Sequence, residues 1–385
     1  MKLIGSGSFG CVVSPPVETN VVKTYIKYSD KASSDVGKLF KSRDDAYEEF
    51  ENELNNYLER SKEVSTYDKL TVKLKGANSV SNIHDDETLR CLIDLDDDDY
   101  IEKQELKSYS KETFHQLIYE YGGQPLKELA CKTIRSIKFL QMFRDLLNVY
   151  KDYQSAGYVH FDLNGGNILI NEKKMSMIDF GFETKLKDVY VEDNIHRLSH
   201  KYWFYPPEFR LYRAHVRGYS PKDNKIRTQR VVDFSSDNIL SLFKSSRFIK
   251  NSFDLFTERQ IKCNVNSLWK TFDPNELDPT KIDIYAFGVN LYMYRRCIQF
   301  SSDEEKEDYN NLVRGLINPN YKKRFSIEKT LIVVDNLIKK YSTGGSKKNK
   351  KDLKLRYVKP KKNEKAEEGE IITYVIYTAR HQNII

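Results

Sequence analysis

The chain has 385 residues, of which 39% are hydrophobic, 31% are charged and 12% are aromatic. This composition excludes a collagen, a disulfide-rich miniprotein and a mostly disordered chain. The formal net charge is +7, yet ten basic side chains oppose only two acidic ones between residues 347 and 365. The rest is almost neutral, which disfavours a nucleic-acid surface outside this basic tail. We expect the tail to be either a polyanion-docking or nuclear-import segment or a solvated linker.

Cysteine spacing and hydropathy indicate the compartment. The closest two of the five cysteines are 34 residues apart, so there is no Cys-x-x-Cys pair. This spacing argues against a zinc ribbon and a disulfide framework, and favours a reducing compartment. No apolar run approaches the ~20 residues that span a bilayer, and a glycine turn stands where a secretion signal would be apolar. We expect an intracellular, cytoplasmic protein without membrane contact, or a nuclear one through its tail. The cysteines are Cys11, Cys91, Cys131, Cys263 and Cys297.

The first third of the chain is predicted to combine strands with one long helix. Residues 1–25 show strand, turn, strand and strand patterns, bounded by glycines and prolines. Residues 44–61 are predicted to be helical, because apolar side chains recur at spacings of three and four. The apolar residues of this predicted helix are Tyr47, Phe50, Leu54 and Leu58.

The remaining two thirds are predicted to be mainly helical. A helix over 131–154 carries its apolar side chains on one face and stops near Gly157. The other predictions are a buried strand over 114–121, strands over 167–170 and 174–178, an insertion with a few short helices over 209–280, helices over 282–297 and 329–341, a disordered tail over 342–369 and a strand-like segment over 370–385.

The first motif with chemical content is the glycine turn Gly5-x-Gly7-x-x-Gly10-x-Val12. Such a turn suits either a dinucleotide-binding fold or the lid over the phosphates in a kinase. A dinucleotide site would start a helix after the last glycine. Here residues 11–13 continue as a strand, which favours a hairpin over phosphates. An ordinary tight hairpin is the alternative.

A more specific motif lies in residues 160–167. The sequence His-Phe-Asp-Leu-Asn-Gly-Gly-Asn matches His-x-Asp-x-x-x-x-Asn, and Asp179-Phe180-Gly181 follows. Phosphoryl transfer needs a carboxylate that takes the proton of the attacking hydroxyl and two oxygen ligands that hold Mg²⁺ on the phosphates. With the glycine turn and Lys23, these motifs resemble the protein kinase family. The resemblance implies a two-lobed α+β fold with a small antiparallel-sheet N-lobe and a mainly helical C-lobe, and ATP and Mg²⁺ as cofactors.

The resemblance also implies a role for each matching residue. Asp162 corresponds to the catalytic base, Asn167 and Asp179 to the metal ligands, and Lys23 to the lysine that contacts the α- and β-phosphates. The partner of Lys23 is predicted to be Glu53, with Glu49 as the second choice. Tyr119 falls at the gatekeeper position. The other predicted nucleotide-binding residues are Ile4, Gly5, Ser6, Gly7, Gly10, Val12, Glu120 and Tyr121.

Three distant residues separate a protein kinase from a small-molecule phosphotransferase. Glu208, in Pro206-Pro207-Glu208, resembles the glutamate that ends the activation segment, and Arg324 resembles its arginine partner. Asp283 resembles the helix aspartate that braces the catalytic loop. A buried charge is tolerable only when it is paired, so each of these residues predicts a specific contact.

The sequence also departs from the family pattern at two catalytic-loop positions. Phe161 replaces the arginine that receives an activation-segment phosphate, so we predict activity without phosphorylation of that segment. Asn164 replaces the lysine near the γ-phosphate, and the loss of its charge should slow transfer. Lys201 is predicted to supply the missing charge; the alternative is a solvent-facing lysine.

These observations predict an N-lobe over residues 1–122 and a C-lobe over 123–341. The predicted activity is transfer of phosphate from ATP to Ser or Thr hydroxyls of a protein substrate by a monomeric kinase. A nucleotide-binding pseudokinase scaffold and a small-molecule kinase remain alternatives. The short N-terminus and the His-Phe-Asp loop resemble kinases of large DNA viruses, which would place the protein in a host cell or virion.

Overall fold

A computed structural model describes residues 2–7, 10–41, 44–93, 103–129, 134–191, 204–244 and 255–342. The described residues form two compact units, an N-terminal unit that ends at Tyr121 and a C-terminal unit that begins at Gly122. The predictions for the tail and for residues 370–385 lie outside the described ranges. The two units have the composition expected of a kinase-like α+β fold, a sheet in the first and mainly helices in the second.

The N-terminal unit is built on one six-stranded antiparallel sheet. Its strand order is β1-β2-β4-β6-β5-β3, so β4 lies near the centre and β3 at an edge. Gly10 on β2 is required by the sheet itself, because a Cβ there would lie 2.1 Å from the carbonyl oxygen of Leu39 on β4. The strands are β1 (Lys2–Gly7), β2 (Gly10–Ser14), β3 (Val21–Ile26), β4 (Val36–Phe40), β5 (Leu74–Val80) and β6 (Phe114–Tyr119).

Four helices accompany this sheet. The longest has the predicted start and extends two residues beyond the predicted end, but its buried residues are Ala46, Phe50 and Leu54. Tyr47 and Leu58, predicted to share that face, are each 38% exposed. Tyr47 lies one position off the buried stripe, which advances by four residues a step, whereas Leu58 continues the stripe but lies beyond its last buried residue. The helices are α1 (Asp44–Glu63), α2 (Tyr67–Leu70), α3 (Asp86–Leu92) and α4 (Lys103–Tyr109).

A disulfide joins Cys11 on β2 to Cys91 on α3. The cysteine spacing argued against a disulfide framework, and this bond corrects that prediction for the pair Cys11 and Cys91. The two residues are 80 positions apart in the sequence, and they meet because α3 packs against β2 in a shared apolar cluster. Spacing along the chain carries no information about such a long-range contact. Cys263 and Cys297 are not part of a disulfide, and the thiol of Cys297 donates to the carbonyl of Leu129 at 3.2 Å.

The C-terminal unit is mainly helical. The predicted face of its first long helix is buried through Leu140, Phe143, Leu147 and Tyr150, and Gly157 follows the helix with a φ of +94°. The predicted insertion contains a helix of 20 residues, longer than expected. The helices are α5 (Ser136–Ser155), α6 (Pro207–Val216), α7 (Lys225–Lys244), α8 (Glu258–Lys270), α9 (Lys281–Met293), α10 (Asp303–Leu316) and α11 (Ile327–Ser342).

Short strands position the loops of this unit. β10 pairs with both β11 and β7 in a three-stranded sheet, β12 pairs with β9, and β13 pairs with β8. Within the described ranges, no helix combines the length and the apolar character needed to cross a bilayer. The strands are β7 (Gln124–Pro125), β8 (Ile134–Arg135), β9 (Tyr158–Val159), β10 (Ile168–Ile170), β11 (Met175–Met177), β12 (Thr184–Lys185) and β13 (Ile298–Gln299).

Candidate active site

The loop between β9 and β10 brings three of the predicted site residues together. The side-chain amide of Asn167 donates to the backbone oxygen of Asp162 at 2.8 Å and to its carboxylate Oδ2 at 3.0 Å. The amide of Asn164 donates to the other carboxylate oxygen at 3.3 Å. Both oxygens of Asp162 are thus oriented by neutral donors, which fix the carboxylate without neutralising its charge.

Asp283 on α9 holds the backbone of this loop through hydrogen bonds, as predicted. Its carboxylate accepts the backbone N–H groups of His160 at 2.6 Å and Phe161 at 3.1 Å, and the hydroxyl of Tyr150 at 2.9 Å. Burial raises the pKa of Asp283, while its electrostatic interaction with His160 and these hydrogen bonds act in the opposite direction. Phe161 has a φ of +68°, a conformation that costs a non-glycine residue about 1–3 kcal/mol. The Asp283 contacts hold the loop in this shape.

Asp179 lies two residues after the end of β11. It is exposed and has a φ of +63°. The preceding residue, Ile178, donates its N–H to the carbonyl of Asn167 at 3.0 Å, and its own carbonyl contacts His160 Nε2 at 2.9 Å. The ring of Phe180 lies 4.7 Å from the His160 ring. These contacts fix the residues on both sides of Asp179, and the Ile178 N–H joins this segment to Asn167.

Two of these residues have oxygens suited to a divalent cation. Asn167 uses its Nδ2 in both hydrogen bonds, and no described residue donates to its Oδ1. Asp179 forms no hydrogen bond or ion pair with any described residue. The described ranges contain no group of three acidic, histidine or cysteine ligands. Mg²⁺ is usually held by one or two protein oxygens together with phosphates of the substrate.

In the N-terminal unit, the predicted pairing of Lys23 with Glu53 is wrong, while the predicted contact of Lys23 with nucleotide phosphates stays a prediction. Glu53 on α1 forms its ion pair with Lys38 on β4, and it also accepts the hydroxyl of Tyr119 at 2.8 Å. Lys23 lies on the edge strand β3, is exposed, and places its ammonium 4.4 Å from the centre of the Tyr25 ring. The predicted glutamate is therefore paired, but with a different lysine.

The reason is the order of the strands. β4 lies between β2 and β6 near the centre of the sheet, and α1 begins shortly after β4 ends. The strand at 21–26 pairs with β5 at the far edge. Buried and half-buried positions alternate over the first four residues of Val36–Phe40, but the residues Val-Gly-Lys-Leu do not alternate between apolar and polar types, so this strand has no clear period in the sequence.

The other predicted nucleotide contacts occupy the hairpin and the end of β6. Gly5 pairs with Val12, Ser6 with Cys11 and Gly7 with Gly10 across the β1–β2 hairpin. At the end of β6, the N–H of Glu120 donates to the carbonyl of Lys73 at 2.9 Å. The two exposed apolar side chains among these predicted contacts are Ile4 at 46% and Tyr121 at 44%. Nucleotide binding by these residues stays a prediction.

Phe161 lies in an apolar cluster of the C-terminal unit. Its ring is 5.5 Å from that of Tyr205 and 5.4 Å from that of Phe209, and only 3% of the residue is exposed. An arginine at this position would place its charge among apolar side chains. The burial of Phe161 shows that apolar contacts join the catalytic loop to the segment that contains Tyr205 and Phe209. Lys201 lies outside the described residues, so its predicted role stays a prediction.

The predicted ion pair at the end of this segment is present. Arg324 donates to both carboxylate oxygens of Glu208, with the Nη2–Oε2 distance at 2.9 Å. Both side chains are fully buried, at 0% and 1% exposure. Arg324 also donates to the carbonyls of Asn318 and Lys281. The pair fixes the start of α6 to the loop before α11.

Comparison with protein families matches the part of the chain that contains the loop between β9 and β10. A family model described as the RIO domain, an atypical protein kinase family, matches residues 114–197. A 98-residue segment is 35% identical to the proto-oncogene serine/threonine-protein kinase mos of Rattus norvegicus. That segment covers 25% of this chain and 29% of the rat protein. The two similarities, together with the fold and the loop geometry, support a relationship of this chain to the protein kinase superfamily.

Proposed function

We propose that the protein transfers the γ-phosphoryl group of ATP to Ser or Thr hydroxyls of a protein substrate. The observation that carries this proposal is the arrangement of Asp162, whose carboxylate is held by Asn164 and Asn167 on a loop braced by Asp283. A carboxylate oriented by neutral amides remains able to accept a proton from an attacking hydroxyl.

The proposed mechanism assigns one task to each residue. Asp162 orients the acceptor hydroxyl and takes its proton. Lys38, held by Glu53, supplies the positive charge for the nucleotide phosphates. Asn167 and Asp179 would hold Mg²⁺, which neutralises charge on the phosphate oxygens when it is bound. Asn164 is neutral and contributes orientation of Asp162 in place of the charge that a lysine would bring.

Two observations favour a protein acceptor. The Glu208–Arg324 pair anchors the end of the segment that follows Asp179-Phe180-Gly181. In the kinases that the sequence resembles, this segment supports the peptide substrate. The similar rat protein is named a serine/threonine-protein kinase. Ser and Thr specificity in this chain is proposed on that similarity.

The test is transfer of radiolabelled γ-phosphate to generic acceptor proteins. We expect Asp162→Asn to reduce turnover by about 10²-fold or more, because the base is lost while the amide preserves its shape. Asp145→Asn is the matched control, since Asp145 is 62% exposed on α5 and pairs with its neighbour Arg144. Labelling by Asp162→Asn equal to that by the unaltered protein would contradict the proposal.

A pseudokinase is the second candidate, and Asn164 is the observation that favours it. The neutral side chain removes a charge that assists transfer. A pseudokinase would bind nucleotide and show no transfer to protein or metabolite acceptors. Measuring nucleotide affinity with and without Mg²⁺ alongside both acceptor classes separates a protein kinase, a small-molecule kinase and a scaffold.

A further inference from the structure

Lys127 is held beside the catalytic loop by its own backbone. It lies in the short 3₁₀ helix Leu126–Glu128, and its N–H donates to the carbonyl of Gly165 at 3.0 Å. The preceding strand β7 pairs with β10, which follows the loop. The backbone of Lys127 is therefore tied to the loop that carries Asp162 by its own hydrogen bond and by the pairing of β7 with β10.

The side chain of Lys127 runs across Gly166. Its ammonium lies 3.3 Å, and its Cδ 3.7 Å, from the position that a Cβ on Gly166 would take. The Oδ1 of Asn164 lies 2.9 Å from the same position. Any side chain at position 166 would displace one of these groups, so the glycine leaves the space that brings the ammonium next to Asn164.

No described carboxylate neutralises this ammonium. Lys127 is exposed and forms no ion pair within the described ranges, and its exposed neighbour Glu128 does not pair with it. The ring of Tyr294 abuts the neighbouring Gly165, and the exposed Arg296 acts electrostatically on that tyrosine. The Lys127 ammonium is thus a positive charge beside the loop that carries Asp162.

We propose that Lys127 is a specificity residue that selects acceptor segments with an acidic side chain close to the phosphorylated hydroxyl. The proposal rests on the proposed kinase function and adds a substrate class to it. A substrate carboxylate would form a charge-assisted hydrogen bond with the Lys127 ammonium while the acceptor hydroxyl approaches Asp162. Segments with a basic side chain at the same place would be repelled by Lys127.

The geometry favours contact with the substrate over contact with the transferred phosphoryl group. Asn164 donates to Asp162 and stands between that carboxylate and the ammonium. An exposed cation at the rim of a site contributes mainly to the choice of partner. Lys127 is accordingly expected to affect KM and peptide preference more than kcat.

The experiment uses peptides that are identical apart from one residue beside the acceptor serine, which is Glu, Gln or Lys. Phosphorylation and binding, the latter by fluorescence anisotropy, are measured for the unaltered protein, Lys127→Ala, Lys127→Glu and Lys127→Arg. Lys138→Ala is the matched control, since Lys138 is an exposed lysine on α5 in the same unit. Asp162→Asn reports whether any labelling depends on the catalytic base.

We expect a preference of about tenfold in kcat/KM for the Glu peptide over the Gln peptide, which corresponds to 1.4 kcal/mol. Lys127→Ala should abolish the preference, Lys127→Glu should reverse it toward the Lys peptide, and Lys127→Arg and Lys138→Ala should keep it. Equal use of all peptides by the unaltered protein, or a preference that survives in Lys127→Ala, would overturn the proposal. Absence of labelling above Asp162→Asn would reject the kinase function instead, and the binding measurements would still decide the peptide preference.

Discussion

The two units each contain an ion pair that links distant parts of the chain, and the pairs differ in burial. Glu208 and Arg324 in the C-terminal unit are 1% and 0% exposed. Lys38 and Glu53 in the N-terminal unit are 28% and 26% exposed. A fully buried charge must keep its partner, whereas a partly hydrated pair can separate and form again at small cost. The first pair is suited to fix a fold, and the second to respond to a ligand.

The same difference appears in two tyrosine–carboxylate contacts. Tyr150 donates to Asp283 in the buried brace of the catalytic loop. Tyr119 donates to Glu53, whose other partner is Lys38. Burial, followed by the neighbouring carboxylate, raises the pKa of both tyrosines, so both hydroxyls stay protonated and donate. One tyrosine therefore supports a loop and the other the Lys38–Glu53 ion pair.

The strongest test of the comparison removes the buried arginine. Arg324→Ala leaves Glu208 buried and unpaired, which should reduce the free energy of unfolding by about 3–5 kcal/mol. Arg314→Ala is the control, because the partner of Arg314, Glu307, is 44% exposed. This substitution should reduce the free energy of unfolding by less than about 1 kcal/mol. Chemical denaturation measures both values. Similar losses in the two variants would show that burial does not separate the two kinds of pair.

The second test compares Lys38 with Lys23. Lys38→Ala should reduce kcat/KM for phosphoryl transfer by about 10²–10³-fold, the range found when one charge-stabilising donor is removed from an active site. Its effect on unfolding should stay below about 1 kcal/mol, since the pair is partly hydrated.

Lys23→Ala is the matched control for this measurement. Lys23 lies on the edge strand and contacts Tyr25 alone among the described contacts of its ammonium. We expect activity within about twofold of the unaltered protein, which is less than 0.5 kcal/mol. A large loss in Lys23→Ala with a small loss in Lys38→Ala would return the catalytic assignment to Lys23.

The third test exchanges each tyrosine for phenylalanine. Tyr119→Phe removes one donor from Glu53 and should lower kcat/KM by about tenfold, the equivalent of a hydrogen bond to a charged group, with little change in unfolding. Tyr150→Phe leaves Asp283 with the two backbone donors and should destabilise the fold by about 1.5–3 kcal/mol. Steady-state kinetics and denaturation are measured on both variants. Loss of stability in Tyr119→Phe without loss of activity would contradict the functional reading of its contact.

The smallest expected effect concerns phosphorylation. Position 161 is a phenylalanine buried among Tyr205 and Phe209, so it offers no arginine that could bind a phosphate on the activation segment. Phosphatase treatment of protein expressed in bacteria should therefore change its activity by less than about twofold, equivalent to under 0.5 kcal/mol. A large loss of activity would show that a phosphate orders the segment through other residues.

Sequence reasoning succeeded where the functional residues lie close together along the chain. Asp162, Asn164 and Asn167 are separated by two or three positions, and their hydrogen bonds close within one loop. It also identified Glu208, Asp283 and Arg324, because each has a local motif that can be recognised before its partner is known. The contacts themselves then follow from the need to pair buried charge.

It failed where the identity of a residue depends on strand order. Lys23 and Lys38 both stand in strand patterns of the same small unit. Which of them faces Glu53 depends on which strand lies at the centre of the sheet, and that is set by pairing between segments far apart in the sequence. The Cys11–Cys91 disulfide has the same origin, since a helix returns to β2 after 80 residues.

The amino-acid sequence alone determined the class of fold, the catalytic loop with its candidate base and metal ligands, and the paired charges that support them. Local spacing carries that information, because the residues of each motif lie within a few positions of one another and their chemistry requires particular residue types there. The tertiary structure alone decided that Lys38 pairs with Glu53, that Tyr119 joins them, and that Lys127 reaches across Gly166. These contacts depend on how strands and loops are brought together by packing, for which the linear sequence offers no short-range signal.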